Sequence, residues 1–441
     1  MYFSELRVDP SNEQHIWVLG IRLWKSEDGG VTFKNDGAPR NVHVDHHALW
    51  VDPANGRHLI LGNDGGVYVS FDRGKHYDHL NHVAIGQFYD VGVGPRRAYH
   101  VYGGLQDNGS WGGPSRVRHA SGPTNEDWIR IGGGDGFRVR VDKHDPERIY
   151  FQSQNGNVGR RHLRSGERAM FRPRPPKGSQ YRFNWYTPYI LSHHNSKIYY
   201  TAGNRVFRSL DRGNGMRAIS PEVTPTKRGS ATALAESPRD ADVLYVGTDD
   251  GGVWMTRNGG HTWIDLYASR AKKATGEPQP PEAKADISAG DGPASGPQNG
   301  NGDDTPTRRK DGRSADSKGA KPKPPAKPKG PSLLAIQSDR RYVSWIEPSR
   351  AAAGRVYLVF DGHRSDDDRA LVFVSEDYGE SWKALHGTLP AAAGTTRVLR
   401  EDIVNPNVLY LGTEMGAYVS IDRGATWTSL NTNLPTVAVH Q

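Results

Sequence analysis

Three aspartates stand in glycine-rich turns where a carboxylate could meet a ligand. Asp64 lies in Gly62-Asn63-Asp64-Gly65-Gly66, Asp107 in Gly103-Gly104-Leu105-Gln106-Asp107-Asn108, and Asp135 in Gly132-Gly133-Gly134-Asp135-Gly136. Gln106 and Asn108 flank the second of these, and Trp111 follows it. His46 and His47 precede an apolar strand, and Asn184 and Trp185 open a later one. Brought to one face, these residues would form a polar cleft with an aromatic floor. Carboxylates and amides would serve sugar hydroxyls, and Trp the face of the ring. Cleaving a glycosidic bond would require more. One carboxyl with a raised pKa protonates the leaving oxygen, and a second acts as nucleophile about 5–5.5 Å away or as base about 6.5–9.5 Å away. Asp64, Asp107 and Asp135 are the candidate catalytic acids. Each, taken singly, also fits an ordinary turn aspartate that accepts backbone N–H bonds.

A second chemistry would use His43, Asp45 and His47. Alternation along a strand would put these three on one face, with His46 on the other. Two neutral imidazoles and a carboxylate could hold a divalent ion, although such histidines more often hydrogen-bond in a polar channel. The sequence contains no P-loop, no Rossmann glycine fingerprint, no Gly-x-Ser-x-Gly elbow and no zinc-protease helix motif. It implies no cofactor.

The elements that must position these residues are short repeated strands. One pattern recurs: Ser/Thr-x-Asp-x-Gly-x-Ser/Thr-aromatic. It occurs with Asp28 between Ser26 and Phe33, with Asp72 between Ser70 and Tyr77, with Asp377 between Ser375 and Trp382, and with Asp422 between Ser420 and Trp427. Asn258 replaces Asp in the copy from Thr256 to Trp263, and the copy at Ser209-Leu210-Asp211-Arg212-Gly213 is degraded. Neighbouring copies lie about 44 to 47 residues apart, the length of a four-stranded propeller blade. Apolar runs with period-2 alternation and Gly/Asp/Asn turns precede each copy and read as hairpins. The Asp accepts backbone N–H bonds within its own turn, Gly supplies a positive φ, and the final aromatic packs between blades. The pattern therefore reads as structural at Asp28, Asp72, Asp211, Asn258, Asp377 and Asp422.

The fold class is all-β: a β-propeller with about eight blade units, beginning near residues 4, 43, 86, 135, 183, 230, 341 and 396. The chain of 441 residues has abundant Gly and Pro, 52 and 29, which suits many strands joined by tight turns. Residues 271–332 contain no aromatic and carry Pro-Lys-Pro-Pro-Ala-Lys-Pro-Lys, so they read as a disordered insert between blades. Roughly 12 Lys/Arg against 8 Asp/Glu in that insert supply about half of the net charge of +8. The remaining charge forms no obvious stripe, which argues against a nucleic-acid partner. No apolar run approaches the ~20 residues of a membrane span, and the first residues show no signal peptide. With no cysteine there is no disulfide framework and no thiolate metal site.

The repeated pattern resembles the Asp box of BNR-repeat proteins, among them sialidases, xyloglucan-cleaving tandem-propeller hydrolases and sortilin-type receptors. The segments Asp45-His46-His47-Ala48-Leu49-Trp50-Val51-Asp52-Pro53, Gln87-Phe88-Tyr89 and Gly103–Asn108 are similar to signature stretches of the bacterial BNR/YVTN, sortilin-like, glycosyl hydrolase-like repeat family. The resemblance implies two blades from the end of a first propeller (1–84), four blades (85–270), the insert (271–332) and two further blades (333–441). Either these parts of two tandem seven-bladed propellers belong to a longer parent chain with a partner propeller, or the units close as one eight-bladed ring. The resemblance also implies an exported parent, periplasmic or extracellular. The xyloglucanases carry a catalytic Asp just before an Asp-Pro strand, where this chain has His46-His47-Ala48. The reading that follows is a binding module for a glycan or an extracellular polypeptide. A glycoside hydrolase is the competing class, and a pure assembly scaffold is a third.

Overall fold

A computed structural model describes residues 3, 5–80, 86–268 and 330–440. Among the described residues the chain forms eight antiparallel sheets, each a meander of consecutive strands, and adopts a β-propeller fold of eight blades. The first strands of blades 1 to 8 are Leu6–Asp9, His46–Val51, Phe88–Val93, Val139–Asp142, Tyr189–Leu191, Ala231–Ser237, Tyr342–Pro348 and Thr396–Glu401. Seven blades have four strands. Blade 1 has three, and a lone bridge between Lys25 and Lys34 stands where its fourth would be. Most of the insert expected at 271–332 lies outside the described residues. Its last three, 330–332, run past blade 7, where the Trp382 N–H donates to the Pro331 carbonyl at 2.9 Å.

The meander fixes two faces. Turns between strands one and two, and between three and four, emerge on one face. Turns between strands two and three, and the connections between blades, emerge on the other. Six Ser/Thr-x-Asp/Asn-x-Gly turns lie on the first face. In blade 8, Asp422 Oδ1 accepts the Thr426 N–H at 2.8 Å and Oδ2 accepts the Thr426 hydroxyl at 2.6 Å, while the Ser420 hydroxyl oxygen accepts the Gly424 N–H at 2.7 Å. These bonds stabilise the ionised carboxylate and draw the pKa of Asp422 down to about 2. Asp28 and Asp377 make the same pair of bonds, and Asp72 makes them with His76. Asn258 reproduces them by accepting the Thr262 N–H and donating to its hydroxyl. Asp211 keeps only a bond from Asn214 Nδ2.

Seams of buried side chains join neighbouring blades. One cluster spans blades 1 and 2, with Trp17, Leu49, Leu59 and Tyr77. Others span blades 3 and 4, 4 and 5, 5 and 6, 6 and 7, and 7 and 8. Among the described residues no such cluster spans blades 2 and 3. Each fully buried Leu or Val in a seam contributes about 1.5–3 kcal/mol, so the seams carry most of the fold's stability. Turn aromatics close them: Trp427 Nε1 donates to the Leu385 carbonyl of the preceding blade at 2.8 Å, and Trp263 Nε1 to that of Ile219 at 2.6 Å. A second device repeats at the ends of first strands. Buried Glu236 accepts from Ser192 of the previous blade, and buried Glu401 accepts from Ser349 in the same way.

Candidate functional site

Blades 2 and 3 meet through polar loops on the face opposite the Asp turns. His43 Nε2 lies 3.1 Å from the Asp107 carbonyl oxygen, and Asn108 Nδ2 donates to the Asp64 carbonyl at 3.1 Å. Asp64 and Asp107 occupy the turns between strands two and three of these blades. Asp135 comes from the connection into blade 4. The three aspartates singled out by sequence are thereby gathered. Asp135 Oδ1 accepts the Asp107 N–H at 2.9 Å, and the Asp107 carboxyl is in hydrogen-bonding contact with the carboxyls of both Asp135 and Asp64.

The local backbone explains how they come so close. Asp107 takes a left-handed φ of 59°, a conformation Asp tolerates better than most residues, and so tips its carboxyl toward the neighbouring connection. Gly104, on the second strand of blade 3, lets the Gly136-Phe137 backbone lie directly on it. A Cβ there would sit 2.2 Å from the Gly136 carbonyl carbon and the Phe137 nitrogen. Gly104→Ala is expected to push that connection away, destabilise the fold by about 1–3 kcal/mol as overpacking does, and weaken any ligand held by Asp135. Chemical denaturation of the variant, with a change below about 0.5 kcal/mol, would show that the connection can give way freely.

Amides and aromatics surround the acids. Gln106 Nε2 donates to Asp107 Oδ1 at 2.9 Å, the Tyr89 hydroxyl donates to Gln106 Oε1, and Gln154 Nε2 donates to Asp135 Oδ2. Trp185 is exposed and packs edge-on against Phe137 at 6.1 Å. Trp111 is half-buried and pinned by its Nε1–H to the Asn108 carbonyl at 2.7 Å. His47 Nε2 lies 2.9 Å from Asp64 Oδ1, with Phe3 stacked on its ring at 5.2 Å.

Burial raises the pKa of Asp107, the adjoining Asp64 carboxyl raises it further, and hydrogen bonds with Asp135 and Gln106 only partly offset this. Burial and the Asp107 carboxyl likewise raise Asp135, against the Asp107 N–H and Gln154. The Asp64 carboxyl thus makes it harder for Asp107 to ionise, and the Asp107 carboxyl makes it harder for Asp135. With the Gln106 and Gln154 amides beside the carboxyls, the cluster holds both hydrogen-bond donors and acceptors.

Several sequence expectations need correction. The strand supposed to carry His43, Asp45 and His47 on one face begins only at His46, and Asp45 takes a φ of 64°, which breaks the alternation. His43 bonds the Val44 and Asp107 carbonyl oxygens, while His47 meets Asp64. Among the described residues no three His, Cys, Asp or Glu side chains are arranged to hold a metal ion. His46 is buried and lines a separate cleft with Leu23 and Val42, because alternation turns it away from His47. Burial, with His43 and His47 nearby, lowers its pKa to about 4. Asn184 bonds Ser230 and Asp249 between blades 5 and 6, so it stands apart from the cluster. Conversely, sequence reasoning passed over Gln154 as a site residue. It occupies in blade 4 the turn that holds Asp64 in blade 2 and Asp107 in blade 3, a signal the repeat itself offered.

No family model matches the sequence, and no curated protein matches it. Solved structures similar to the chain include a GH74 enzyme of Niastella koreensis, at 14% identity and a TM-score of 0.28, covering 99% of this chain and 64% of that one. YCF48 bound to a peptide has 11% identity and a TM-score of 0.34, covering 98% of this chain and 82% of that one. The extracellular domain of the hybrid two component system BT3049 from B. thetaiotaomicron has 10% identity and a TM-score of 0.45, covering 99% and 48%. The chain spans 64% of the length of the GH74 enzyme.

Proposed function

We propose that this protein is an extracytoplasmic binding module that recognises a glycan at the Asp64–Asp107–Asp135 cluster, where a two-blade unit meets a six-blade unit. The observation that carries this reading is the contact of the Asp107 carboxyl with those of Asp64 and Asp135. A hydrolytic pair stands about 5–9.5 Å apart with the glycosidic bond between its members. Asp107 and Asp135 instead touch, held by Gln106 and Gln154. Such a set presents a fixed array of donors and acceptors for vicinal hydroxyls, and the exposed Trp185 ring offers an apolar face nearby. A glycoside hydrolase is the second reading. The raised pKa values of Asp107 and Asp135 favour it, because a general acid must keep its proton.

The two readings part in one experiment. The purified protein is applied to a glycan array and, in parallel, incubated with xyloglucan, other β-glucans and sialosides while new reducing ends and free sialic acid are assayed. Binding without turnover is expected, weakened roughly tenfold or more in Asp64→Ala and Asp135→Ala by loss of a hydrogen bond to a charged or strongly polar group. Turnover that disappears in Asp135→Ala, with circular dichroism unchanged, would make the protein an enzyme. Silence in both assays would leave an extracellular polypeptide as the ligand to test and would end the glycan reading.

A further inference from the structure

A second cavity opens on the opposite face, where the first strands of blades 4 to 8 end. Its volume is about 330 Å³, at the lower end of the range for small-molecule sites. Its composition differs from that of the acidic cluster. Blade 4 supplies Arg138, Arg140 and Lys143, and Arg350 and Arg400 come from blades 7 and 8. Four carboxylates lie near these five bases, and each is already engaged; Glu401 accepts from the Ser349 hydroxyl and, at 2.8 Å, from the Arg350 backbone N–H. Asp90, beneath the cavity, accepts from Arg138 at 3.1 Å and from Arg140 at 2.6 Å. Glu236 accepts from the Ser192 hydroxyl and the His193 N–H. Glu347 accepts from Trp345 Nε1 at 3.0 Å and only distantly, at 3.4 Å, from Arg400.

A positive excess in a partly closed space is costly unless something balances it. The strain is visible at Arg400, whose pKa is lowered by burial and by Arg138 and Arg140, against Glu347 and Asp90. Its guanidinium is held over the Trp345 ring at 4.1 Å, which fixes its position. Lys143 and Arg350 are exposed at the mouth, and Ile190, Leu234 and Ile346 complete an apolar wall. A planar guanidinium presents parallel N–H donors that match the oxygens of a carboxylate or a phosphate.

We propose that this channel cavity binds the oxyanion group, carboxylate or phosphate, of a small organic molecule, with Arg400 and Arg350 as its direct partners and the Trp345–Ile346 wall against the rest of the ligand. This site is separate from the glycan site and does not depend on it. Isothermal titration of the whole chain with inorganic phosphate, with glucuronate and with neutral glucose tests it. At least one anion is expected to bind and glucose is not. Arg400→Gln should weaken the anion roughly tenfold, as loss of a charge-assisted bond does. Arg350→Gln should weaken it several-fold. Binding of phosphate alone identifies a phosphoryl group, and binding of glucuronate alone a carboxylate on a ring. If Arg400→Gln fails to fold, Arg350→Gln decides, since its side chain is at the surface. No anion bound, glucose bound as well as the anions, or affinity unchanged in the folded variants would overturn the proposal.

Discussion

Replacing Asp90 with alanine is expected to cost the fold about 3–5 kcal/mol, the usual loss when one partner of a buried ion pair is removed. Asp90 is 2% exposed on the first strand of blade 3. Its Oδ1 accepts from Arg140 Nη1 at 2.6 Å, and its Oδ2 accepts from Arg140 Nη2 and Arg138 Nε, both at 3.1 Å, and from the Tyr186 hydroxyl at 2.7 Å. Arg138 in turn donates to the Tyr189 carbonyl at 3.2 Å. One carboxylate thus ties blade 3 to blade 4 and to the entry of blade 5, and alanine would leave two guanidiniums and a phenol without it.

The sign of the pH dependence follows from the same contacts. Burial by itself would raise the Asp90 pKa, but Arg140, Arg138 and the hydrogen bonds hold it below the ordinary 3.8. The folded state therefore keeps this carboxylate ionised to lower pH than the unfolded chain does. Its contribution is fully present above about pH 3.8 and is lost as pH falls through the depressed folded value. Urea denaturation at pH 7 should show the full penalty in Asp90→Ala and a smaller one in Asp90→Asn, and the gap from the parent should narrow in acid below pH 3.8. An alanine variant within about 0.5 kcal/mol of the parent at pH 7 would mean that water or a shifted side chain takes over the role of Asp90.

This bridge was invisible in the sequence, and the reason is physical. Asp90 finds Arg138, Arg140 and Tyr186 at separations of 48, 50 and 96 residues, across three blades. Locally, Tyr89-Asp90-Val91 and Arg138-Val139-Arg140-Val141 are ordinary alternating strands. By contrast, the Asp turns were legible because their chemistry closes within eight residues: Ser26 to Asp28 to Thr32 is the whole hydrogen-bonded unit. The blade starts expected near residues 86, 230 and 396 fall at 88, 231 and 396, since apolar alternation marks a first strand. Blades 3 and 4 form four-stranded sheets without such a turn, so the pattern is a sufficient signal of a blade and not a necessary one. The candidate acids were legible for the opposite reason, as departures from the repeat. That they touch depends on the φ of Asp107 and on the bare backbone at Gly104, and no spacing rule supplies either.

Asp107→Asn is expected to stabilise the protein at neutral pH. Asparagine has the shape of a protonated aspartate: Nδ2 can donate to a carboxyl oxygen of Asp64, and Oδ1 can accept from Gln106. It does so without a charge beside two other carboxyls. Because burial and Asp64 raise the folded pKa of Asp107 above the ordinary 3.8, stability is lost as pH rises from 3.8 through the raised value, and the loss is complete above it. The gain in Asp107→Asn should therefore be present at pH 7 and absent below pH 3.8. Asp107→Ala, which removes the acceptor for Gln106 and the partner of Asp135, should weaken the proposed glycan binding roughly ten- to hundredfold. Stability gained by neutralising a residue that binding requires is the pattern of a site maintained against the interest of the fold. If Asp107→Asn instead destabilises the protein at pH 7, the carboxylate is a turn acceptor like Asp422, and the cluster's chemistry would have to rest on Asp64 and Asp135 alone.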